Sequence, residues 1–354
     1  RNAGIVRRAR PFTNVEAVAG TARRIARSGP LCPARGAPIM APRTGQGAPQ
    51  RALASVRDER ASTEAPATMA KKATKSAKHA NEVQSVPPVL LAREGTSMIA
   101  RLNRPEQMNA INSEIIAGLH DALDRALDDE QTRSVIITAQ GAMFCAGVDV
   151  VHAAEEGPRS YDESLAEAEE LARLFRRLRS YEKVTIAAVN GAALGSGCCL
   201  ATLCDFTLAV GAARFGYPDV RYGFVPAVVA VFLRGFVNSK RMRDLLLTGR
   251  ILSADEAHEI GLVSEVVPHG GLMVRALDVA TMVSQNAPRA TRMTKELLEM
   301  LPDMDIDKAL RAAVDFNARN RDSAEVREGL SAHAQRRPPD WNAARAADEG
   351  RPEA

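Results

Sequence analysis

The sequence lacks the features that define several classes of protein. Although 45% of its 354 residues are hydrophobic, no apolar run approaches the roughly 18 residues of a membrane-spanning helix. Its five cysteines are an odd number without a secretory pattern, which favours a reducing compartment over a disulfide framework. No repeat at a solenoid period is present. We therefore predict a soluble protein, with no membrane partner and a sizeable core.

Acidic residues are scarce only in the N-terminal part of the chain. Residues 1–80 contain 16 Lys and Arg against 4 Asp and Glu, whereas the remainder contains 31 against 39. The overall net charge of +4 therefore says little about the partners of the folded part. Aromatic residues are nearly absent among the N-terminal basic ones, which is atypical of nucleic-acid binding, and we expect no nucleic-acid partner.

Residues 1–85 also lack sustained periodicity and contain few large apolar residues, so we expect this segment to be disordered. It resembles a transit peptide in being rich in Arg and poor in acidic residues, which would predict the mitochondrial matrix. Alternatively, it is upstream sequence that is not translated, because MAKKATKSAK from Met69 resembles an ordinary start. We favour the second interpretation and predict a cytoplasmic location.

Hydrophobic patterns predict an α/β fold that begins near Val89. Short apolar runs alternate with helical patterns, which is typical of layered α/β cores. The runs that predict strands cover 97–103, 134–139, 184–190 and 205–210. The intervening helices are predicted over 113–126, with Ser113 as N-cap, and over 163–180. In the second helix, Leu165 and Ala168 belong to the predicted inner face.

From about Pro226 the pattern is predominantly helical. Ser253 and Glu256 form a capping box that opens a helix ending at Gly261. Further helices are predicted over 272–286, 289–299, 305–320 and 323–335. The chain thus divides into a disordered segment (1–85), an α/β core (86–270), a helical region (271–341) and a disordered tail (342–354).

The stretch NGAALGSGCCLATLCDF (190–206) combines clustered glycines with three cysteines. The cysteines lack C-x-x-C spacing and a neighbouring His, so we predict packing residues and no metal site. The glycine spacing also departs from the dinucleotide fingerprint. A strand that enters a glycine loop ahead of a helix aims backbone N–H groups outward, which suits a developing oxyanion. A tight turn without a ligand is the alternative interpretation.

Six collinear segments between about Val89 and Trp341 resemble the crotonase superfamily, the enoyl-CoA hydratases and isomerases. Each alone is a weak signal, whereas six in order at the expected separations are specific. They are LNRPEQMNAIN, FCAGVD, AAVNGAALGSGCCLATLCDF, ARFGYPDVRYGFVP, LLLTGRILSADEAHEIGLVSEVVP and RRPPDW.

The resemblance implies a spiral of β-β-α units followed by a helical C-terminal region that mediates trimers, usually paired into hexamers. It also implies an acyl-CoA thioester as substrate, with no cofactor beyond the CoA of that substrate. The family holds a thioester enolate in an oxyanion hole made by two backbone N–H groups. The matching positions here are Val148, in FCAGVD, and Ser196, in GSG.

The sequence departs from the family at two catalytic positions. Typical hydratases carry two glutamates, and the matching residues here are Cys199 and Asp219. A thiol with an ordinary pKa of about 8.5 is a poor replacement for a carboxylate, whereas Asp219 keeps the carboxylate on a shorter side chain. We predict Asp219 as the catalytic acid or base; a loop or capping aspartate after Pro218 is the alternative.

The resemblance also implies residues that bind the substrate. The family cups the adenine with backbone groups of a loop that matches Gln107, Met108 and Ala110. The predicted contacts around the oxyanion hole are Ala146, Asp149 and Gly195. Val151 is also predicted to contact the substrate, at the position where family members often have a lysine near the CoA phosphates. Arg336 and Arg337 match a basic region near the CoA phosphates, although solvated side chains at a helix end are the alternative.

Three functions follow as hypotheses. The first is an enoyl-CoA hydratase, and the second is an enoyl-CoA isomerase in which Asp219 alone moves a proton between carbons. A third, of another class, is a non-catalytic protein that binds acyl-CoA or RNA, because part of the catalytic apparatus is replaced.

Overall fold

Two β-sheets, between which successive strands alternate, form the framework of the fold. The computed structural model describes residues 86–150, 154–155, 157–268 and 270–349. The described strands are β1 (Val89–Glu94), β2 (Ser97–Leu102), β3 (Ser134–Ala139), β4 (Met143–Cys145), β5 (Val184–Val189), β6 (Ala192–Leu194), β7 (Phe206–Val210), β8 (Arg214–Gly216), β9 (Ile251–Ser253) and β10 (Glu265–Val267).

Helices follow the paired strands and then make up nearly all of the C-terminal part. They are α1 (Ser113–Asp128), α2 (Tyr161–Arg179), α3 (Ser196–Thr202), α4 (Ala227–Leu233), α5 (Ser239–Thr248), α6 (Ala254–Glu259), α7 (Leu272–Ser284), α8 (Pro288–Met300), α9 (Ile306–Arg321), α10 (Ala324–Gln335) and α11 (Trp341–Glu349). Short 3-10 turns cover Pro105–Gln107, Pro218–Tyr222 and Leu301–Asp303.

The larger sheet has the strand order β1-β2-β3-β5-β7-β10. A hairpin makes β1 and β2 antiparallel, and all other neighbours are parallel. Every residue of β3 and of β5 is buried, which explains their uninterrupted apolar sequences, SVIITA and VTIAAV. The sequence predicts both of these strands correctly.

The smaller sheet, with the order β4-β6-β8-β9, takes one strand from each successive unit. The chain passes from β3 to β4, from β5 to β6 and from β7 to β8, and each pair is followed by a helix or a 3-10 turn. This alternation between two sheets is the predicted spiral of β-β-α units. In the smaller sheet, β4, β6 and β8 are parallel, so their carboxyl ends lie side by side.

Two helix predictions need correction. The N-cap of α1 is Asn112, not Ser113, because the Asn112 side chain accepts a hydrogen bond of 3.0 Å from the Ile115 amide. Leu165 and Ala168 are exposed, because the first turns of α2 extend beyond the core and burial begins at Leu174. The capping box of Ser253 and Glu256 in α6 is confirmed.

The C-terminal part also differs from the prediction. Helix α7 contributes buried residues to the same core as the sheets, including Ala276 and Val279, so the core continues beyond residue 270. Helix α11 lies where we predicted a disordered tail from residue 342. The Trp341 indole donates a 2.8 Å hydrogen bond to the Gln285 carbonyl, and Arg345 forms an ion pair with Glu130. These contacts dock α11 on the rest of the chain.

The predictions for residues 1–85 and 350–354 concern segments outside the described residues. Within the described residues, no helix is both long enough and apolar enough to cross a membrane.

Candidate active site

The candidate site lies at the carboxyl ends of three neighbouring parallel strands in the smaller sheet. Cys145 in β4 pairs with Ala193 in β6, and Leu194 in β6 pairs with Gly216 in β8. Segments 146–149, 195–196 and 217–219 follow these strands directly. Strand pairing therefore brings together three segments that are far apart in sequence, and each contains a predicted site residue.

Gly147 allows the first two segments to approach each other closely. A Cβ atom on Gly147 would lie 2.6 Å from the Leu194 carbonyl oxygen and 3.2 Å from the Ser196 amide nitrogen. Its φ of +87° is also one that residues with side chains rarely adopt. A glycine is therefore required for the backbones around Val148 and Ser196 to come together.

The two predicted oxyanion donors have no partner in the part of the chain that the structure describes. Val148 forms an isolated parallel bridge with Ile111, in which the Ile111 amide bonds to the Gly147 carbonyl at 2.8 Å. Neither the Val148 nor the Ser196 amide donates to an atom of the described residues. Ser196 is the first residue of α3, where an amide has no acceptor within the helix. Both N–H groups are therefore available to a ligand.

Asp219 faces the same glycine loop. A Cβ atom on Gly195 would lie 3.4 Å from each carboxylate oxygen of Asp219. The Gly195 amide donates a 2.8 Å hydrogen bond to the Gly216 carbonyl, which fixes the loop beside the strand that leads to Asp219. The structure thus places the predicted carboxylate next to the residue that precedes the Ser196 donor.

The Asp219 carboxylate is half-buried, and its Oδ2 is fully buried without a hydrogen-bond partner among the described residues. Burial raises the pKa of this carboxyl above its usual value, and a backbone hydrogen bond opposes the shift only in part. A carboxylate with an elevated pKa and an unsatisfied oxygen is suited to accept and return a proton.

Comparisons with known proteins identify the family of this chain. The sequence profile described as enoyl-CoA hydratase/isomerase matches residues 93–344. A relative from Thermus thermophilus named as a putative enoyl-CoA hydratase is 39% identical over 246 residues, covering 70% of this chain and 97% of that protein. The short-chain-enoyl-CoA hydratase of Clostridium acetobutylicum is 35% identical over 228 residues, which cover 63% of this chain and 85% of that protein. This chain belongs to the enoyl-CoA hydratase/isomerase family.

Solved structures of the family give the same result for the fold. The crystal structure of an enoyl-CoA hydratase from Mycobacterium smegmatis superposes with a TM-score of 0.69 at 28% identity. The match covers 73% of this chain and all of that one. The predicted crotonase-like α/β fold is therefore confirmed.

Cys199, which the family resemblance matches to the first glutamate, differs chemically from a carboxylate. The side chain is 2% exposed, and burial raises the pKa of its thiol well above the usual value. Burial likewise raises the pKa of Cys145 and of Cys198 to about 12. Thiols in this state are neutral at physiological pH, so the packing role predicted for the cysteines fits their burial.

The predicted adenine loop is attached to the oxyanion segment. The Ala146 amide bonds to the Met108 carbonyl at 3.1 Å, beside the bridge between Ile111 and Val148. Met108 and Gln107 are exposed at the surface, whereas Ala110 is buried. The structure thus brings two of these three residues to an accessible surface. The Ala110 amide donates to the Gln107 carbonyl, and its carbonyl accepts from the Arg104 side chain.

Asn109 is a positioning residue that our sequence analysis missed. Its fully buried side chain accepts a hydrogen bond from the Arg104 amide and donates to the Gln140 and Met143 carbonyls, at 2.8, 2.9 and 2.9 Å. Its φ of +53° is left-handed, a conformation that Asn tolerates better than most residues. An Asn flanked by the apolar Met108 and Ala110 could have indicated this role.

The remaining predicted residues divide into two groups. Asp149 lies in the oxyanion segment and is partly exposed, whereas Val151 is outside the described residues. Arg337 forms two hydrogen bonds to the Glu328 carboxylate, at 2.6 and 2.9 Å, and Arg336 caps α10 in a left-handed conformation. Arg337 is therefore occupied within the chain, and the structure does not bring either arginine to Asp219.

Metal chemistry has no support in the described ranges, where no group of three or more His, Cys, Asp and Glu side chains is arranged to hold an ion. The chemistry that the site offers is two backbone donors and one proton-transferring carboxylate.

Proposed function

We propose that this protein adds water across the double bond of a 2-enoyl-CoA thioester. The observation that carries the proposal is the convergence of two unpartnered amides, of Val148 and Ser196, with the buried and unpaired Oδ2 of Asp219. Donors of this kind stabilise charge that develops on a carbonyl oxygen, and the carboxylate supplies the proton transfer.

In the proposed mechanism, the thioester oxygen accepts hydrogen bonds from the Val148 and Ser196 amides. Asp219 takes a proton from a water molecule while the water oxygen forms a bond to C3 of the substrate. The π electrons of the C2–C3 bond move toward the thioester, which becomes an enolate held by the two amides. Asp219 then returns its proton to C2, so that one carboxylate serves as base and then as acid.

The raised pKa of Asp219 supports this double role. A carboxyl group whose pKa lies closer to neutrality holds the transferred proton more readily between the two steps. The names of the relatives, which describe enoyl-CoA hydratases, support the same substrate class.

An enoyl-CoA isomerase is the second candidate, and Cys199 is the observation that favours it. Its buried neutral thiol leaves one carboxylate where hydratases of the family typically have two. One carboxylate suffices to take a proton from C2 of a 3-enoyl thioester and to deliver it to C4. The same two amides would hold the enolate between these steps.

Incubation of the purified protein with crotonyl-CoA and, separately, with a 3-enoyl-CoA distinguishes the candidates. We expect 3-hydroxyacyl-CoA from crotonyl-CoA, measured by mass spectrometry with incorporation of ¹⁸O from labelled water. A 2-enoyl product from the 3-enoyl substrate, without hydration of crotonyl-CoA, would favour the isomerase. Activity on neither substrate would contradict both and leave the non-catalytic binding hypothesis.

The proposal extends to cofactor, assembly and compartment. The reaction requires no cofactor beyond the CoA of the substrate, and we expect trimers or hexamers assembled through the helical C-terminal region. A cytoplasmic location stays our prediction, with the mitochondrial matrix as the alternative; a Dictyostelium discoideum relative carries the name probable enoyl-CoA hydratase, mitochondrial. Mass spectrometry of the native N-terminus would distinguish the two.

A further inference from the structure

A cavity of about 570 Å³ opens at the edge of the larger sheet where β3 and β5 begin. Its lining includes Arg133, which precedes β3, and Lys183 and Val184 at the beginning of β5. The oxyanion segments lie beyond the other ends of these two strands. The cavity, which we call the arginine cavity, is therefore separate from the acyl-CoA site proposed above.

Basic side chains dominate the lining of the arginine cavity. It contains five cationic residues and three acidic ones, and the cations are Arg133, Lys183, Arg289, Arg292 and Arg345. Such a concentration of positive charge at a recess attracts anions, and the partly enclosed position strengthens the attraction relative to open water.

The three carboxylates do not neutralise all of this charge. Glu130 forms an ion pair with Arg345. Glu325 is 2% exposed and accepts hydrogen bonds from the backbone amides of Arg289 and Ala290, at 2.8 and 3.2 Å, where it caps α8. Glu182 is exposed at the rim. Glu325 also faces Arg133 and partly opposes the lowering of its pKa. With five cations against three carboxylates, the lining keeps a net charge of +2.

Arg133 and Arg289 consequently have no carboxylate within ion-pair distance among the residues that the structure describes. One guanidinium nitrogen of Arg133 donates to the neutral Asn342 side chain at 2.7 Å, and Nε of Arg289 is buried without an acceptor. Burial, followed by the charge of Arg345, lowers the pKa of Arg133. The excess of cations over carboxylates in the lining favours binding of an anion in the cavity.

We propose that the arginine cavity binds a small organic phosphate monoester. A phosphate monoester carries close to two negative charges at neutral pH, about −1.5 to −2, which matches the net charge of +2 of the lining. Planar guanidinium groups bind phosphate oxygens through paired hydrogen bonds. The apolar side chains of Leu127, Val184 and Val283, also in the lining, provide a surface for the organic part.

The volume of the cavity supports an organic ligand rather than a bare ion. Small-molecule sites in proteins typically measure about 300–1,000 Å³, a range that includes this cavity. Phenyl phosphate, which combines the charged group with an apolar ring, is therefore a suitable probe.

Isothermal titration calorimetry of the full chain with phenyl phosphate tests the proposal at constant ionic strength. We expect saturable binding to the wild type, weakened about ten-fold or more by Arg133→Gln and by Arg289→Gln. Arg311→Gln, which removes an exposed arginine of α9 outside the cavity lining, should change the dissociation constant by less than about two-fold. Phenol, which lacks the phosphate, should not bind.

Three results would overturn the proposal: no binding to the wild type, equal binding to all variants, or equal binding of phenol. Because a variant can fail to fold, the melting temperature of each is measured without ligand. Removing a cation from this net positive lining should leave the melting temperature unchanged or raise it. Arg289→Lys, which keeps the charge but not the paired donors, should give a dissociation constant between those of the wild type and Arg289→Gln. Loss of binding accompanied by unfolding in both Arg289 variants would count against the proposal.

Discussion

At the residue scale, Asp219 links activity and stability in opposite directions. Its Oδ2 is buried without a partner and its pKa is raised by burial, so the charged form costs free energy in the folded state. The same burial prepares the carboxylate for proton transfer. Function and stability should therefore respond differently to its replacement.

Replacing Asp219 by Asn removes the proton-transferring group while keeping the shape of the side chain. We expect the kcat for hydration of crotonyl-CoA to fall about 10²- to 10⁴-fold, with a much smaller change in the affinity for the product. Loss of the enoyl thioester absorbance measures the rate, and calorimetry with 3-hydroxybutyryl-CoA measures the binding. An unchanged kcat would remove Asp219 from the mechanism.

The same variant should be more stable than the wild type at pH 7. A carboxyl whose pKa is raised in the folded state contributes fully to stability when the pH is below 3.8, its pKa in the unfolded chain. This contribution is lost as the pH rises through the folded pKa. The advantage of Asp219→Asn in urea denaturation should therefore be present at pH 7 and shrink as the pH falls toward 3.8. Equal stability at pH 7 would contradict the burial argument.

At the scale of elements, the site depends on how closely two loops approach each other. Gly147 lies against the Leu194–Ser196 backbone with a positive φ, whereas Gly95 in the β1–β2 hairpin has a positive φ but open space around it. The two glycines therefore separate the cost of the backbone conformation from the cost of a steric clash.

We expect Gly147→Ala to lower kcat for crotonyl-CoA by about 10²-fold or more, because a Cβ would push the Val148 and Ser196 amides apart. It should also lower the free energy of unfolding by more than Gly95→Ala, which bears only the conformational cost of about 1 kcal/mol. Enzyme kinetics and urea denaturation of both variants provide the comparison. Equal effects of the two substitutions would show that the loops can separate without loss of function.

Sequence patterns predicted the long buried strands but not the small sheet. The six-residue apolar runs of β3 and β5 are long enough to be recognised. Strands β4, β6 and β8 have three residues each, too few to show any alternation. Their partners are fixed by long-range pairing, so the geometry of the site could be predicted only through the family resemblance.

At the scale of the whole molecule, an ion pair between the buried Lys295 and the partly exposed Asp205 carboxylate connects the C-terminal helices to the larger sheet. Lys295 of α8 is 9% exposed, and its Nζ lies 2.7 Å from Oδ2 of Asp205 and 3.2 Å from the Lys183 carbonyl. The same carboxylate oxygen accepts hydrogen bonds from the amide and the hydroxyl of Thr185, at 2.8 and 3.0 Å. The pair therefore joins α8 to the start of β5 and to the residue before β7.

Replacing Lys295 by Met should lower the free energy of unfolding by about 3 kcal/mol, because the Asp205 carboxylate would stay partly buried without its cation. Lys308→Met is the matched control, since the Lys308–Asp305 pair is exposed and should contribute about 0–1 kcal/mol. Urea denaturation of both variants measures the difference. If both variants lose the same stability, the pair does not anchor α8.

The sequence also left features of the whole chain unpredicted. Helix α11 lies where the sequence predicts a disordered tail, because its docking depends on Gln285 and Glu130, which are distant in sequence. The arginine cavity is likewise assembled from separate segments. Such arrangements leave no local periodicity, and only the folded chain reveals them.

In the proposed mechanism, backbone N–H groups and not side chains stabilise the oxyanion. Substitutions of Ser196 test this role of the backbone. Ser196 is the first residue of α3, a position whose backbone conformation suits proline, which replaces the amide hydrogen by the ring Cδ and so denies the thioester oxygen its donor. We predict that Ser196→Pro lowers the kcat for crotonyl-CoA about 10²- to 10³-fold, whereas Ser196→Ala changes it less than about ten-fold. Full turnover by Ser196→Pro, with its fold intact by circular dichroism, would contradict the account.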